Sequence, residues 1–343
     1  MPITNTGGFR VVEKIKLSHG DGGAKTHELI HNVFLKNYGE ENHNPINDSY
    51  IFSFDSSKLA FTTDSFVVNP LFFRGGDIGK LAVCGTINDL ATAGAKPLYL
   101  SAGFIIEEGF EIEKLCKVAG SMGEICRRTG AKIVTGDTKV IERGGVDGLF
   151  INTSGIGIVS EHYFPCTIEP GDEIIISGTI AEHGTAILLD RYELDIETDI
   201  ISDCCPLNFL ISELDKELPY IKLMKDPTRG GVATVLNEIS NTVGYNVELN
   251  ENQIPINSQV KAINKILGID PLYLACEGRM IFIVKKGYAD IILRRIREFD
   301  AGKSAQIIGR FTSDMQGVVY LITNIGGKRI IPALEGQTVP RIC

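Results

Sequence analysis

The chain has 343 residues, of which 43% are hydrophobic and 22% are charged, and its formal net charge is −9. These fractions are typical of a folded globular protein and exclude a mainly disordered chain. The acidic balance argues against a nucleic-acid binder, which needs a basic face, but it is compatible with carboxylates that bind Mg²⁺ beside a nucleotide. The length predicts two domains, each large enough to bury its own core.

The N-terminal segment lacks the basic-then-apolar pattern of a secretory signal, and no apolar stretch is long enough to span a bilayer. We therefore expect a cytoplasmic protein without membrane contact. The eight cysteines form no CxxC pair, which gives a zinc or iron–sulfur site little support. We expect Cys84, Cys116 and Cys126 to be reduced and packed in the interior. Cys343 stands apart because it is the last residue.

The first half of the chain opens with a Gly-rich polar segment. Hydrophobic periodicity and turn residues then predict helices over 27–38, 77–94 and 112–129, and strands over 50–54, 58–62, 98–106, 132–135 and 149–159. The strand over 132–135 reads as buried and runs into a loop that begins at Gly136. A turn around Pro170 and Gly171 predicts a domain boundary nearby.

The second half repeats this mixture. Its pattern predicts strands over 173–177, 279–284, 305–311 and 318–323, and helices over 184–189, 206–217, 231–242, 259–267 and 288–297. Because neither half shows a strict βαβ alternation, the predicted fold class is α+β, with related domains over 1–167 and 168–331. Residues 332–343 contain two prolines and a glycine and are predicted to form a mobile tail.

Aspartates recur at the ends of the predicted elements. They are Asp48, Asp64, Asp89, Asp137 and Asp226. Each alone is more simply a turn or capping residue, but their recurrence favours a Mg²⁺ site, which takes a few carboxylates plus substrate phosphates. Gly-rich segments offer backbone N–H groups to phosphates, and Lys139 can neutralise charge on a transferring phosphoryl group. Since no P-loop is present, these patterns alone lead only to a Mg²⁺–nucleotide enzyme with an unusual site.

Several motifs together carry a family resemblance. They are FTTDSFVVNP (61–70), GGDIGKLAV (75–83), GTINDLA (85–91), TGDTKV (135–140), DGLFINT (147–153), DPTRGG (226–231), EGR (277–279) and the terminal PRIC (340–343). In this order they resemble the HypE family, the carbamoyl dehydratases of [NiFe]-hydrogenase maturation, within the superfamily of aminoimidazole ribonucleotide synthetase and selenophosphate synthetase. Arg74 replaces the proline that the family commonly has before Gly75, which puts the shape of that loop in doubt.

The resemblance implies two α+β domains of the aminoimidazole ribonucleotide synthetase type and a homodimer formed through the N-terminal domains. ATP would lie at the dimer interface under the Gly-rich N-terminal segment. The carbamoyltransferase HypF would load a carbamoyl group onto Cys343, and ATP would drive its dehydration to an S-cyanate. The cyanide would then pass to iron on the HypC–HypD complex.

The resemblance also implies the site residues. The metal ligands would be Asp48, Asp89 and Asp226, with Asn88 as an outside candidate. The residues around ATP would be His19, Gly20, Gly22, Gly23, Asp64, Gly136, Asp137, Thr138 and Arg229. For each aspartate, capping or turn formation is the simpler alternative.

The dehydration site is predicted to consist of Cys343, Lys139 and Glu277. Cys343 would carry the substrate, Lys139 would hold the developing oxyanion or bridging phosphate, and Glu277 would accept the amide proton. A plain Lys139–Glu277 ion pair is the alternative. The terminal carboxylate should raise the pKa of the Cys343 thiol, and Arg341 could offset that effect. A solvated loop position is at least as plausible as a functional one for His19 and for His183.

The sequence is also compatible with two other functions. One is a different ATP enzyme of the superfamily, although selenophosphate synthetases usually carry a cysteine or selenocysteine in the N-terminal Gly-rich loop, and 18–23 contains none. Ribonucleotide-processing relatives have no reason to end in cysteine. The other is a nonenzymatic scaffold that binds ATP and organises maturation partners. A carbamoyl adduct on Cys343 that loses water in the presence of Mg-ATP would separate the dehydratase from both.

Overall fold

The structure, a computed structural model, describes residues 24–29, 48–194, 196–334 and 341–343. The N-terminal part contains helices α1 (Ala24–Leu29), α2 (Ile78–Thr92) and α3 (Ile112–Thr129) and strands β1 (Tyr50–Phe54), β2 (Ser57–Phe66), β3 (Phe72–Phe73), β4 (Gly76–Asp77), β5 (Ala95–Glu107), β6 (Lys132–Ile141) and β7 (Leu149–Val159). The predicted helix over 27–38 lies mostly outside the described residues.

The first sheet has the strand order β1-β2-β7-β5-β6. Its neighbours are antiparallel except for β5 and β6, which run parallel because α3 forms the crossover between them. One face of this sheet, here called the inner face, is covered by α2. The opposite, outer face carries exposed apolar side chains. They are Tyr50, Phe61, Tyr99, Ile105 and Ile158.

The C-terminal part has a larger sheet. Its helices are α4 (Glu182–Arg191), α5 (Asn208–Glu213), α6 (Gly231–Val243), α7 (Ser258–Leu267) and α8 (Ala289–Ile296), and its strands are β8 (Glu173–Ile176), β9 (Ile221–Lys225), β10 (Val247–Asn250), β11 (Ile281–Val284), β12 (Gln306–Phe311), β13 (Val319–Ile322) and β14 (Lys328–Ile330). The sheet order is β14-β13-β10-β12-β8-β11-β9. Mixed helices and sheets in both parts confirm the α+β class.

Helix α2 lies at the centre of the molecule, and nearly all of its residues are buried. Asp77 caps its first turn by accepting hydrogen bonds from the N–H groups of Gly79 and Lys80 at 2.7 and 3.1 Å. Gly79 is required because a Cβ at this position would lie 2.4 Å from the carbonyl oxygen of Val118 in α3. The two helices therefore pack closely enough to hold α2 in a fixed position between the sheet and the C-terminal part.

Arg74, the residue that departs from the family pattern, links the two parts of the chain. Its backbone N–H donates to Asp190 Oδ2 at 2.7 Å, and its Nε donates to Asp190 Oδ1 at 2.6 Å. The loop that begins at Arg74 is therefore held against the end of α4. The replacement of proline by arginine at position 74 therefore affects a contact between the two parts of the chain.

Two local predictions are wrong. Strand β6 continues through Gly136 to Ile141 where a loop was expected, and it is exposed because it forms the edge of its sheet. Cys116 is exposed on α3, whereas Cys84 and Cys126 are buried as expected. Among the described helices, none combines the length and apolar character that crossing a bilayer requires.

Candidate active site

Four aspartates meet where the two parts of the chain face each other. Asp48 precedes β1, Asp64 lies on the inner face of β2, Asp89 lies in α2 and Asp226 follows β9. Their carboxylates repel one another: the charges of Asp48, Asp64 and Asp226 all raise the pKa of Asp89. The elements thus bring together four of the five aspartates that the sequence singled out.

Burial is the main cause of the raised pKa values in this cluster. Burial, followed by the charge of Asp48, raises the pKa of Asp226 to about 8. Burial also raises the pKa values of Asp48 and Asp64, although Lys225 and Arg229 respectively oppose the shift. A cluster of buried carboxylates with raised pKa values favours a bound cation or bound protons at neutral pH.

Lys225 provides a positive charge within the cluster. Its Nζ lies 2.6 Å from Asp48 Oδ1 and 3.7 Å from Glu238 Oε2. Asp48 Oδ2 is buried and makes no hydrogen bond with any described residue. Thr62 Oγ1 lies 2.8 Å from Asp89 Oδ2, which fixes that carboxylate. The lysine therefore compensates only part of the negative charge.

The donor set fits Mg²⁺. It consists of hard carboxylate oxygens, one of them buried without a hydrogen bond, and their pKa values are raised first by burial and then by mutual repulsion. Within the described ranges, no three His, Cys, Asp or Glu side chains converge closely enough to enclose a metal ion. These side chains alone therefore do not enclose an ion, and Mg²⁺ commonly takes one or two carboxylates and completes its shell with phosphate oxygens and water.

Glu277 lies in a tight loop beside the aspartates and is 2% exposed. Its N–H donates to Asp203 Oδ1 at 3.0 Å. The next residue must be glycine, because a Cβ on Gly278 would lie 1.9 Å from the carbonyl oxygen of Asp203. Burial, followed by the charges of Cys204 and Asp226, raises the pKa of Glu277 well above its ordinary value. Its Oε1 makes no hydrogen bond with any described residue, so this oxygen is available to a substrate.

Arg229 is positioned by the loop that leads into α6. Gly231 has a positive φ of 60°, and a Cβ there would lie 2.5 Å from the carbonyl oxygen of Leu274. Only glycine allows this turn, which presents the half-exposed Arg229 to Asp64 with Nη2 3.6 Å from Oδ1. The charge of Cys343 is the main cause of the raised pKa of Arg229.

The terminal Cys343 lies at this same site. An oxygen of its terminal carboxylate accepts a hydrogen bond of 3.2 Å from the N–H of Val67, just past the end of β2. Burial, followed by the charge of Glu277, raises the thiol pKa well above its ordinary value, and Arg229 partly opposes this. The sequence predicted Arg341 for that opposing role, which is wrong, because its guanidinium pairs with Asp147 and Val67 O.

Asp137 and Lys139 lie elsewhere, on the outer face of the first sheet. In the sheet register, Asp64 of β2 is paired with Thr153 of β7. Thr153 is paired with Ala102 of β5, and Ala102 is paired with Gly136 of β6. At ~4.8 Å per strand, Gly136 is therefore ~14 Å from Asp64. Thr138 has the inner-face parity of Gly136, whereas Asp137 and Lys139 alternate to the outer face.

The Lys139–Glu277 ion pair, which the sequence analysis gave as the alternative, does not form among the described residues. Lys139 Nζ is instead 2.9 Å from Asp137 Oδ2, and both side chains are exposed. The predicted roles of Gly136, Asp137, Thr138 and Lys139 therefore remain predictions. His19, Gly20, Gly22 and Gly23 lie outside the described residues.

Two side chains have roles that the sequence did not indicate. Asn88 is not placed as a metal ligand: its Nδ2 donates to the carbonyl oxygens of Cys205 and Glu277, and its Oδ1 accepts from the N–H of Leu207. His183 is fully buried and not a solvated loop histidine, with both ring nitrogens in hydrogen bonds. Their local sequence gives no signal for these contacts, which depend on how the domains meet.

The sequence and structure of the chain were compared with those of known proteins, and the matches identify its family. Sequence profiles of the AIR synthase related proteins match the N-terminal domain over residues 47–159 and the C-terminal domain over 169–322. Carbamoyl dehydratase HypE of Rhizobium leguminosarum bv. viciae is 44% identical over 333 residues, which cover 96% of this chain and 95% of that protein. Carbamoyl dehydratase HypE of Escherichia coli (strain K12) is 40% identical over 339 residues, which cover 97% of this chain and all of that protein.

The chain belongs to the HypE family of carbamoyl dehydratases. A solved HypE–HypF complex matches with a TM-score of 0.84 and 45% identity, covering 89% of this chain and 99% of the matched chain. HypE solved in complex with ATP matches with a TM-score of 0.80 and 40% identity, covering 96% of this chain and all of the matched one. The terminal cysteine and the acidic cluster described above thus belong to a HypE-type enzyme.

Proposed function

We propose that this enzyme uses ATP to dehydrate an S-carbamoyl group on Cys343 to an S-cyanate, which supplies cyanide ligands for the iron centre of [NiFe]-hydrogenase. The observation that carries the proposal is the place of Cys343. The last residue of the chain lies in the same site as Glu277, Arg229 and the aspartate cluster.

The chemistry begins with a poor leaving group. Oxygen cannot leave a thiocarbamate amide as hydroxide, so the carbamoyl oxygen attacks the γ-phosphorus of ATP and ADP departs. Removal of both N–H protons and cleavage of the C–O bond then release phosphate and leave S–C≡N. The oxygen of the carbamoyl group ends in phosphate, so Cys343 loses the mass of one water.

Glu277 is the proposed base. Burial raises the pKa of its carboxyl group, which makes the ionised form a stronger base than an exposed glutamate. Its unpaired Oε1 can accept the amide proton. Arg229, whose charge acts on both Cys343 and Glu277, is placed to stabilise negative charge on the phosphorylated oxygen.

Asp48, Asp89 and Asp226 are proposed to hold Mg²⁺ against the triphosphate, where the ion would neutralise phosphate charge. Asp48 would offer the ion its Oδ2, which makes no hydrogen bond with any described residue, while Lys225 stays on Oδ1. Asp64 would line the nucleotide. The HypE–ATP complex among the relatives supports ATP as the nucleotide.

We further propose a homodimer formed through the outer face of the first sheet. The side chains of Phe61, Tyr99 and Ile105 are exposed on this face, and burying their apolar surface in an interface is favourable. A second copy would cover them. Asp137 and Lys139 would then lie within the interface. Lys139, which lies far from the aspartate cluster of its own protomer, could there contact the phosphates of a nucleotide bound at the interface.

The proposed partners are HypF, which loads Cys343, and the HypC–HypD complex, which receives the cyanide. The solved HypE–HypF complex of a relative supports the first. Because burial and nearby Glu277 raise the thiol pKa in the inward position, Cys343 is a poor nucleophile there. Loading is therefore expected with the tail turned outward.

Mass spectrometry tests the proposal. The protein is incubated with HypF, carbamoyl phosphate and ATP to load Cys343. Dehydration of the adduct is then compared without and with Mg²⁺. We expect a carbamoyl adduct on Cys343 that loses one water. A Cys343→Ser variant should form no thiocarbamate and should still bind ATP. An adduct that persists unchanged with Mg-ATP would contradict the dehydratase function.

A further inference from the structure

The last three residues are held by a set of hydrogen bonds that the dehydration chemistry does not itself use. The side chain of Ile342 is buried at 7% exposure, and Arg341 adopts a positive φ of 53° that turns the following residues inward. The carbonyl oxygen of Arg341 accepts a hydrogen bond of 3.1 Å from the N–H of Asn69. A non-glycine residue in this region is strained and persists only where its surroundings hold it.

His183, in the first turn of α4, makes the central contact. Its Nε2 lies 2.7 Å from the carbonyl oxygen of Ile342, and its Nδ1 lies 2.8 Å from Ser202 Oγ. Since a carbonyl only accepts, Nε2 must carry the proton. Burial lowers the pKa of His183, which favours the neutral ring, so Nδ1 accepts from the Ser202 hydroxyl. Ser202 Oγ in turn accepts from the N–H of Cys204 at 3.0 Å, which fixes its orientation.

Arg191, at the other end of α4, makes a second contact. Its Nη2 lies 2.6 Å from the carbonyl oxygen of Arg341, and its Nε lies 2.8 Å from that of Asn69. One helix of the C-terminal part therefore holds the tail at two successive carbonyl groups. Val67 and Asn69 of the N-terminal part hold it from the opposite side.

We propose that His183 and Arg191 form a latch that holds the C terminus inward and so controls how long Cys343 stays beside Glu277. The inference rests on the proposed carrier role of Cys343. Both are positioning residues, because they bind tail backbone and not the carbamoyl group. Loss of the latch should favour the outward tail, leaving loading intact and slowing dehydration.

Thiol alkylation tests the latch without reference to catalysis. Pulses of N-ethylmaleimide are applied to the intact protein, and modification of each cysteine is read by peptide mass spectrometry. Exposed Cys116 serves as the internal reference, and buried Cys84 and Cys276 report unfolding. In the wild-type protein Cys343 should react more slowly than Cys116.

His183→Leu should raise the rate at Cys343 about tenfold relative to Cys116, since it removes a buried hydrogen bond to the tail. His183→Gln, whose amide can still donate to the Ile342 carbonyl, should restore most of the protection. An unchanged Cys343 rate in His183→Leu with Cys84 and Cys276 still protected would overturn the latch. If those two cysteines react, Ser202→Ala decides instead: a several-fold rise at Cys343 supports the latch and no rise overturns it.

A second readout separates the latch from the proposed function. HypF-dependent carbamoylation of His183→Leu should be at least as fast as that of the wild-type protein, while water loss from the adduct should slow about tenfold. If no variant, including the wild-type protein, forms a carbamoyl adduct, the proposed function fails while the alkylation result still decides the latch.

Discussion

Asp226 is a buried carboxylate whose pKa rises to about 8, mainly through burial and then through the charge of Asp48. An aspartate in the unfolded chain has a pKa of ~3.9. Because the folded-state value is the higher one, the folded protein binds the proton more tightly. Its contribution to stability is therefore fully present below pH ~4 and is lost as the pH rises through about 8.

Asp226→Asn should consequently stabilise the protein without nucleotide or metal, on the order of 2 kcal/mol at pH 8.5 or so, because it removes a buried charge. The gain should shrink towards pH ~5, where Asp226 is already protonated. Urea unfolding at the two pH values measures this. The same variant should lose the stabilisation that Mg-ATP gives the wild-type protein. Equal gains at both pH values would contradict the raised pKa.

Glu277→Gln preserves the size of the side chain and removes the base. We expect dehydration of the Cys343 adduct to slow by about 10²–10⁴-fold, the usual contribution of a positioned general base. Carbamoylation and ATP binding should stay within about twofold. The exposed Glu161→Gln serves as the matched control and should dehydrate at the wild-type rate. Mass spectrometry of single turnovers measures all three proteins.

The position of the aspartate cluster depends on the packing of α2 against α3, because α2 carries both Asp89 and Asn88. Gly79→Ala would bring a Cβ within 2.4 Å of Val118 O, a backbone atom that cannot move aside. We expect a loss of about 1–3 kcal/mol from this overpacking. Gly120→Ala, on α3 with open space around it, should instead be neutral or stabilising by up to ~1 kcal/mol. Thermal unfolding compares the two.

Elements with a strong local signal could be predicted from sequence. Helix α3 has its predicted bounds, because its apolar face repeats at helical spacing and Gly130 ends it with a φ of 78°. Strand β9 was missed, since the lysines of its IKLMK sequence resemble solvent-facing residues. Both are buried: Lys222 pairs with Asp172 and Lys225 with Asp48. These acidic partners lie far away in sequence, so the residues around each lysine do not indicate that the lysine is buried in an ion pair.

The site divides in the same way. Asp48, Asp64, Asp89 and Asp226 lie together, and the sequence analysis grouped these four with a fifth aspartate, Asp137, which lies on the outer face of the sheet. Lys139 was grouped with Glu277, but strand alternation places it on the other face of the sheet. Motifs indicate which residues serve one function. They do not indicate on which face of a sheet each residue lies, or which protomer of a dimer contributes it to a site.

At the scale of the whole molecule, the apolar outer face predicts the oligomeric state. Ile105→Lys places a charge among Phe61, Tyr99 and Ile158 and should convert a dimer to a monomer in light scattering after gel filtration. Ile266→Lys, on the exposed face of α7, is the control and should leave the dimer intact. ATP affinity should fall at least about tenfold only in Ile105→Lys. A monomeric wild-type protein would contradict the proposed interface.

The backbone contacts of the terminus have a further consequence. The N–H of Val67 donates to the terminal carboxylate of Cys343, and the N–H of Asn69 donates to the carbonyl oxygen of Arg341. The body of the protein therefore recognises its own last residues as it would recognise a peptide ligand that extends a strand. Covalent attachment then mainly supplies a high local concentration. A short synthetic peptide that ends in Arg-Ile-Cys should compete for this position, and a body shortened at its C terminus would become an enzyme for a carbamoylated peptide added in solution.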